Sequence, residues 1–258
     1  MTGPEPAPFQ PHRTAQKLYP EVAAGGYTRH DGFIDFYQRV NALLTPTSEV
    51  LDFGAGRGNW VDINVSDYHR RLRDLQKVAA KVDGCDVDPV VLENETLDDR
   101  QVITPGAPLP YADASYDLVV ADYVMEHVTA EHAPGVASEL HRILRPGGWF
   151  AARTPNKWGI IGIGARAVPN DLHVRVLEKL QPGRRAEDVF PVQYAMNTRR
   201  DLKRLFPAER WNLSVYGHAS EPQYMGTSEA AWRVASFVDR ITPPRALPTL
   251  MVFVQKKP

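Results

Sequence analysis

The stretch EVLDFGAGRGNW, residues 49–60, constrains the fold more than any other part of the chain. An apolar run leads into Asp52, and Gly54, Gly56 and Gly58 then fall within five positions. Glycines allow a tight turn and close approach of the backbone to a ligand, and a following helix offers free N–H groups to an anion. The stretch therefore predicts a strand and a ligand-binding turn, with a turn that binds nothing as the alternative.

The remaining sequence alternates between strand-like and helical segments. Strands are predicted at residues 49–53, 82–87, 101–104, 116–124, 149–156, 211–218 and 250–256. Helices are predicted at residues 29–44, 60–81, from 89 onward, 131–145, 198–206 and 227–241. This alternation predicts an α/β fold, a Rossmann-like doubly wound sheet of about seven strands. The sheet is expected to be mostly parallel with an antiparallel edge strand, and helices are expected on both faces.

The chain divides by composition into an arm and one domain. Residues 1–28 begin with a proline-rich stretch and are expected to form a flexible N-terminal arm. Residues 29–258 are expected to form a single domain. Within it the regular pattern loosens at about 157–197, which predicts an inserted segment on the substrate side.

Composition excludes several kinds of function. With 30 basic and 31 acidic residues the formal net charge is −1, so no global field favours nucleic acid. Cys85 is the only cysteine, so no disulfide forms within the chain. No apolar run reaches the ~18 residues of a membrane span, and no metal site is indicated. These features predict a cytoplasmic protein, and they do not predict its oligomeric state.

The glycine turn discriminates between cofactors. A phosphate-binding P-loop needs Lys and then Ser or Thr after its glycines, whereas Asn59 and Trp60 follow Gly58. A dinucleotide loop needs glycine at position 59, so NAD is disfavoured but remains open. Asp52 directly before the turn would repel a pyrophosphate and suits a ligand with an ammonium or sulfonium group. S-adenosylmethionine combines these groups with a carboxylate and a ribose.

Four blocks in order resemble the motifs of class I S-adenosylmethionine-dependent methyltransferases, in the subgroup that acts on small molecules. They are VLDFGAGRG, GCDVDP, LPYADASYDLVVADYVMEHV and ELHRILRPGGWFAARTPN, within about residues 49–156. The resemblance implies the Rossmann-like fold, S-adenosylmethionine as cofactor and methyl transfer to a small molecule. It also implies that the cofactor contacts these residues: Asp52, Gly54, Ala55, Gly56, Gly58, Asp86, Val87 and Asp122.

Within that resemblance the roles differ by residue. Asp52 would hold the cofactor's amino group, the glycines would line its methionine end, and Asp86 would accept both ribose hydroxyls. Asp88 is expected to cap the helix beginning near Pro89 in preference to touching the ligand. The chain departs from the family in two ways, since Asp86 follows Asp52 by about 34 residues, and TPGAPLP lacks an acid for the adenine amino group.

His127, in MEHV after the fourth strand, is the candidate general base. The alternative is that Glu126 and His127 fix the loop or touch the cofactor. Tyr123, and His30 with Tyr27 in an N-terminal lid, are weaker candidates near the acceptor, as are His173 and Tyr194. The predicted function is O-methylation of a small hydroxylated metabolite or sugar. N- or C-methylation, or S-adenosylmethionine binding without catalysis, remain alternatives.

Overall fold

A seven-stranded sheet forms the centre of the computed structural model, which describes residues 9–61, 65–159, 192–222 and 225–258. Its strands are β1 (Glu49–Phe53), β2 (Lys81–Asp86), β3 (Asp99–Val102), β4 (Tyr116–Asp122), β5 (Leu144–Pro155), β6 (Trp211–His218) and β7 (Thr249–Lys256). The strand order is β3-β2-β1-β4-β5-β7-β6. The first five strands pair in parallel, while β7 runs antiparallel to both β5 and β6. The predicted fold class is confirmed, with the antiparallel pairing at the β6 edge.

Helices cover both faces of this sheet. The six α-helices of the described residues are α1 (Arg13–Leu18), α2 (Gly32–Ala42), α3 (Asp67–Arg73), α4 (Ala133–Ile143), α5 (Arg199–Leu205) and α6 (Glu229–Ile241). On one face, α4 and α5 pack over Leu51 and Val119. On the other, α2 and α3 pack over Val50 and Val120. Successive strand residues therefore enter opposite cores, as expected for a sheet buried on both sides.

The predicted helix over residues 60–81 is broken into shorter pieces. A 3₁₀ turn (Asn59–Val61), α3 and a second 3₁₀ turn (Leu75–Lys77) replace it in the described residues. Ser66 begins α3, where its hydroxyl accepts a hydrogen bond from the His69 N–H. Asp74 ends α3 with a non-helical backbone. The Ser66 cap and the non-helical backbone of Asp74 therefore limit α3 to seven residues.

Two short helical segments lie within the described part of the arm expected at residues 1–28. The helix α1 and a 3₁₀ turn (Pro20–Ala23) pack on α6, where Ala15, Tyr19 and Val22 surround the fully buried Trp232. The expectation of a flexible arm is therefore wrong for these residues, because Trp232 supplies an apolar surface for them to cover. Within the described chain, no helix has both the length and the apolar character needed to cross a membrane.

Candidate active site

The glycine turn after β1 is held against the end of β2. The backbone N–H groups of Gly54 and Ala55 both donate to the carbonyl of Cys85, at 2.7 and 3.1 Å. Gly54, Gly56 and Gly58 all adopt positive φ angles, a region that favours glycine. The turn predicted from the sequence therefore lies at the carboxyl edge of the parallel strands, where doubly wound sheets bind ligands.

The three glycines differ in what surrounds them. A Cβ atom added to Gly54 would collide with the Val124 side chain, and one added to Gly58 would collide with Asn94. A Cβ on Gly56 would have no atom of the described residues within 4 Å. Gly54 and Gly58 thus make room for neighbouring side chains of the protein. Gly56 instead borders open space in which a ligand can approach the backbone.

Asn94 stabilises the glycine turn through hydrogen bonds, a role that the sequence did not indicate. Its side chain is 1% exposed, and its Nδ2 donates to the carbonyls of Ala55 and Gly56 at 3.3 and 3.1 Å. Its Oδ1 accepts from the backbone N–H of Thr96 at 3.0 Å. A lone asparagine after a short helix has no distinctive sequence signal, so only the three-dimensional contacts identify it.

Asp86 lies at the end of β2, next to the open side of the turn. Its Oδ2 accepts from the Gly56 N–H at 2.9 Å and its Oδ1 from the Asp88 N–H at 3.0 Å. Burial raises the pKa of Asp86 above its ordinary value, although these N–H groups oppose the shift. Asp88 instead caps the 3₁₀ helix Pro89–Glu93, its Oδ1 accepting from Val90 N–H. The predicted capping role of Asp88 is confirmed.

Asp52 is buried and ion-paired. Its Oδ2 lies 2.5 Å from Nη2 of Arg73, and the two residues are 2% and 9% exposed. Burial alone would lower the pKa of Arg73, but the Asp52 carboxylate holds it above its ordinary value. The guanidinium also lies over the rings of Tyr37 and Trp60. Asp52 therefore does not act as the uncompensated charge that the sequence argument assumed, because a buried cation neutralises it.

Asp122, at the end of β4, forms a second ion pair, which is partly buried. It accepts from Nε of Arg153 at 2.5 Å and from Nη2 at 2.9 Å, a two-point contact. The hydroxyl of Tyr37 also donates to Asp122 Oδ2 at 3.1 Å. Because the Tyr37 ring also contacts Arg73, this one side chain connects both ion pairs. Neither arginine was singled out from the sequence.

Tyr123, the residue after Asp122, has a strained backbone. Its φ is 57°, which is rare for a residue other than glycine. Its N–H donates to the carbonyl of Arg153 at 2.9 Å, and its partly exposed ring lies 4.9 Å from that guanidinium. Strain of this kind persists where surrounding contacts hold it, and it concentrates at ligand sites.

The turn Met125–His127 bears the candidate base. Glu126 is 4% exposed, accepts from Thr154 Oγ1 at 2.9 Å, and burial raises its pKa to about 7. Its carbonyl accepts from the Gln193 N–H at 2.7 Å. His127 is half-buried. The two ionisable side chains of this turn thus differ in environment, since Glu126 is enclosed by β5 while His127 keeps access to solvent.

The weaker candidates are spread around this edge. Tyr194 has a φ of 54°, and its N–H donates to the Glu126 carbonyl at 3.3 Å. Tyr27 packs against Tyr68, while the exposed His30 lies beside Tyr19. His173 lies outside the described residues, as does most of the segment expected to be an insertion. Among the described residues no three His, Cys, Asp or Glu side chains are grouped to hold a metal ion.

Comparison with known proteins identifies the family. The model of the methyltransferase domain family matches residues 26–215, which is most of the chain. The chain belongs to this family. A probable S-adenosylmethionine-dependent methyltransferase of Mycolicibacterium smegmatis is 34% identical over 167 residues, covering 64% of this chain and 59% of that protein. An uncharacterized methyltransferase of Synechocystis is 27% identical over 124 residues, covering 46% and 53%.

These matches span more than half, but less than two thirds, of each curated relative. Among solved structures, a Thermotoga maritima S-adenosylmethionine-dependent methyltransferase described as a possible histamine N-methyltransferase aligns with a TM-score of 0.52 at 14% identity. The alignment covers 95% of this chain and 97% of that one, and it supports the fold. The predicted class I methyltransferase family and its cofactor, S-adenosylmethionine, are confirmed.

The residues around the glycine turn suit this cofactor. Open space beside Gly56 allows close approach, and the neighbouring Asp86 carboxylate keeps lone pairs for further donors. Val87 is 41% exposed and offers an apolar wall next to that carboxylate. The arrangement combines a carboxylate for hydroxyl groups with an apolar surface for a flat base.

Proposed function

We propose that this chain methylates a hydroxyl group of a small metabolite or sugar, with S-adenosylmethionine as methyl donor and His127 as general base. The difference between the two ionisable side chains of the Met125–His127 turn supports the proposal. Glu126 is enclosed and hydrogen-bonded to Thr154, so it cannot reach an acceptor, whereas His127 is half-buried at the same strand end. An imidazole suits proton removal near neutral pH.

The cofactor is proposed to lie across the carboxyl edges of β1, β2 and β4. Its methionine end would follow the backbone of Gly54, Ala55, Gly56 and Gly58, and Asp86 would accept its ribose hydroxyls. When bound, S-adenosylmethionine supplies an electrophilic methyl group on its sulfonium. The hydrogen bond that Asp86 accepts from the Gly56 N–H orients its carboxylate, so this acid and the turn act as one preorganised unit.

Three further residues are proposed to lie beside the cofactor. Val87 would border the adenosine, and Asp52 and Asp122 would face the amino group and the donor methyl position. Because Asp52 pairs with Arg73 and Asp122 with Arg153, each carboxylate would use lone pairs that its arginine leaves available. The arginines would hold the two carboxylates in fixed positions without leaving a net negative charge beside the sulfonium.

Labelled S-adenosylmethionine incubated with fractionated metabolite extracts tests the proposal. Label should enter a hydroxylated small molecule, and His127→Asn should remove turnover while calorimetry shows unchanged cofactor affinity. His141→Asn is the matched control. His141 is near the C-terminal end of α4, which leads into the start of β5, opposite the carboxyl ends of the strands. Label on nitrogen or carbon would support the N- or C-methylation alternative. Cofactor binding with no transfer to any fraction would support a non-catalytic binding protein.

A further inference from the structure

Tyr123 lies at the edge of the sheet where methyl transfer is proposed to take place. It directly follows β4 and precedes the Met125–His127 turn. Its neighbour Val124 packs against the glycine turn, since a Cβ atom added to Gly54 would collide with the Val124 side chain. On the other side, the Tyr123 N–H donates to the carbonyl of Arg153 in β5. Tyr123 is therefore placed between the glycine turn and β5, close to the candidate base along the chain.

The ring of Tyr123 is held in a fixed position. Its centroid lies 4.9 Å from the guanidinium carbon of Arg153, within the range of a cation–π contact. Arg153 is itself fixed, because it donates to both Asp122 oxygens and also lies 5.3 Å from the centroid of the Phe33 ring. Asp122 balances the charge of Arg153, so this group of residues presents an aromatic surface and not an unpaired cation.

Part of this ring remains accessible. Tyr123 is 41% exposed, and the guanidinium covers one face of the ring, so the accessible surface belongs to the opposite face and the ring edge. The backbone of Tyr123 has a φ of 57°, and this strained conformation sets the direction of the side chain. Aromatic rings associate by offset stacking or edge-to-face contact, so a fixed, accessible ring suits a ligand that has a flat ring of its own.

The chemistry of the proposed base favours the same kind of ligand. A phenol hydroxyl has an ordinary pKa of about 10, as tyrosine does. An alkyl hydroxyl, such as that of a sugar, holds its proton more tightly and is closer to water, whose pKa is about 15.7. An imidazole, with an ordinary pKa of about 6.5, is therefore better matched to the phenol. Proton transfer from an aromatic hydroxyl needs less assistance than proton transfer from a sugar hydroxyl.

We propose that the methyl acceptor carries its hydroxyl group on an aromatic ring, and that this ring stacks on Tyr123. The proposal rests on the function proposed above, since it names the class of acceptor and retains His127 as base. In the transfer, the phenol proton passes to the His127 imidazole, and a lone pair of the phenol oxygen forms the new bond to the methyl carbon. The electron pair of the broken carbon–sulfur bond stays on sulfur, so the products are an aryl methyl ether and S-adenosylhomocysteine.

S-adenosylmethionine with an isotopically labelled methyl group tests the class of acceptor. The full chain is incubated with this donor and fractionated metabolite extracts, and carbon NMR distinguishes a labelled aryl methyl ether from a labelled alkyl methyl ether. We expect the label in an aryl methyl ether. Label in an alkyl methyl ether alone would overturn the aromatic acceptor and leave the proposed O-methylation intact. Label on nitrogen or carbon, or no transfer at all, would contradict the proposed function and this inference together.

Substitutions at Tyr123 test the stacking contact with the acceptor purified from the labelled fraction. Tyr123→Phe keeps the ring and should retain the wild-type KM for this acceptor. Tyr123→Leu removes the ring and should raise that KM by about fivefold, the loss expected for an aromatic pair, with a smaller change in kcat. Phe237→Leu is the matched control, because Phe237 is a 62% exposed ring on α6, a helix whose buried face packs on α1.

Calorimetry with S-adenosylhomocysteine is performed on each variant, so that a failure of the cofactor site is recorded separately. Tyr123→Leu should bind S-adenosylhomocysteine like wild type, which assigns its higher KM to the acceptor. Equal rises in KM in Tyr123→Phe and Tyr123→Leu would overturn the stacking contact, because the ring would then make no difference. A wild-type KM for the acceptor in Tyr123→Leu would overturn it as well.

Discussion

The guanidinium of Arg73 contacts the carboxylate of Asp52 at 2.5 Å, and the pair is buried between α3 and the end of β1. Removing one member of a buried ion pair leaves an uncompensated charge, which costs about 3 to 5 kcal/mol. Arg73→Met should therefore lower the free energy of unfolding by this amount in urea denaturation.

Two variants make that measurement specific. Arg71→Met, at an exposed position of the same helix, should change stability by less than about 0.5 kcal/mol. The double variant Arg73→Met with Asp52→Asn should be more stable than Arg73→Met alone, because no charge is left buried. If Arg73→Met alone had the same urea midpoint of unfolding as the wild type, the ion pair would have no structural role.

Asp86→Ala should weaken cofactor binding by at least about tenfold, the loss expected for charge-assisted hydrogen bonds to a carboxylate. The variant also removes the acceptor that holds the Gly56 N–H. Titration calorimetry with S-adenosylhomocysteine measures the effect. Glu95→Gln, which changes an exposed carboxylate on the segment between β2 and β3, should bind like wild type. Wild-type affinity in Asp86→Ala would refute the proposed ribose contact.

Asn94→Asp tests whether the Asn94 side chain stabilises the glycine turn. The substitution keeps the acceptor for Thr96 but replaces the amide donor with a carboxylate facing the carbonyls of Ala55 and Gly56. We expect a severalfold rise in KM for S-adenosylmethionine with a smaller change in kcat. The reason is that the glycine turn shifts, whereas the Met125–His127 turn keeps its contacts. A purely structural role would instead lower the thermal midpoint and leave KM unchanged in the folded fraction.

Glu126 should make stability depend on pH. Burial raises its folded-state pKa to about 7 from an ordinary 4.5, so the folded protein binds more protons than the unfolded chain between these values. Its contribution is fully present below pH 4.5 and is lost as pH rises through about 7. A shift of this size corresponds to roughly 3 kcal/mol.

Thermal unfolding of wild type and Glu126→Gln between pH 5 and 8 checks this sign. Glutamine imitates the protonated acid, so the variant should gain stability relative to wild type as pH rises. Glu131→Gln, at an exposed position, should follow the wild-type pH profile. A Glu126→Gln curve parallel to wild type would show that this carboxyl has an ordinary pKa.

The sequence predicted which segments form strands and where the glycine turn lies, because both depend on local patterns. Apolar runs of strand length alternate with amphipathic segments, and Gly54, Gly56 and Gly58 mark a turn that few other residues permit. The capping role of Asp88 was also predictable, since the Asp-Pro pair begins a helical turn locally.

The ion pairs at the site could not be predicted in the same way. Asp52 and Arg73 are 21 residues apart, and Asp122 and Arg153 are 31 apart, so no local spacing relates them. An arginine on a helix usually faces solvent, and a sequence pattern does not show that Arg73 points inward. The order of residues 13–23 depends likewise on Trp232, more than two hundred positions later.

The position of β7 between β5 and β6 makes β7 the link between β6 and the five parallel strands. Among the described strands β6 pairs with β7 alone, although β6 precedes it in the chain. A ribosome therefore releases β6 before its neighbour exists, while the outer edge of β5 stays open. Residues 249–256 supply both pairings, so a chain that lacks them has no strand through which β6 can join the five parallel strands.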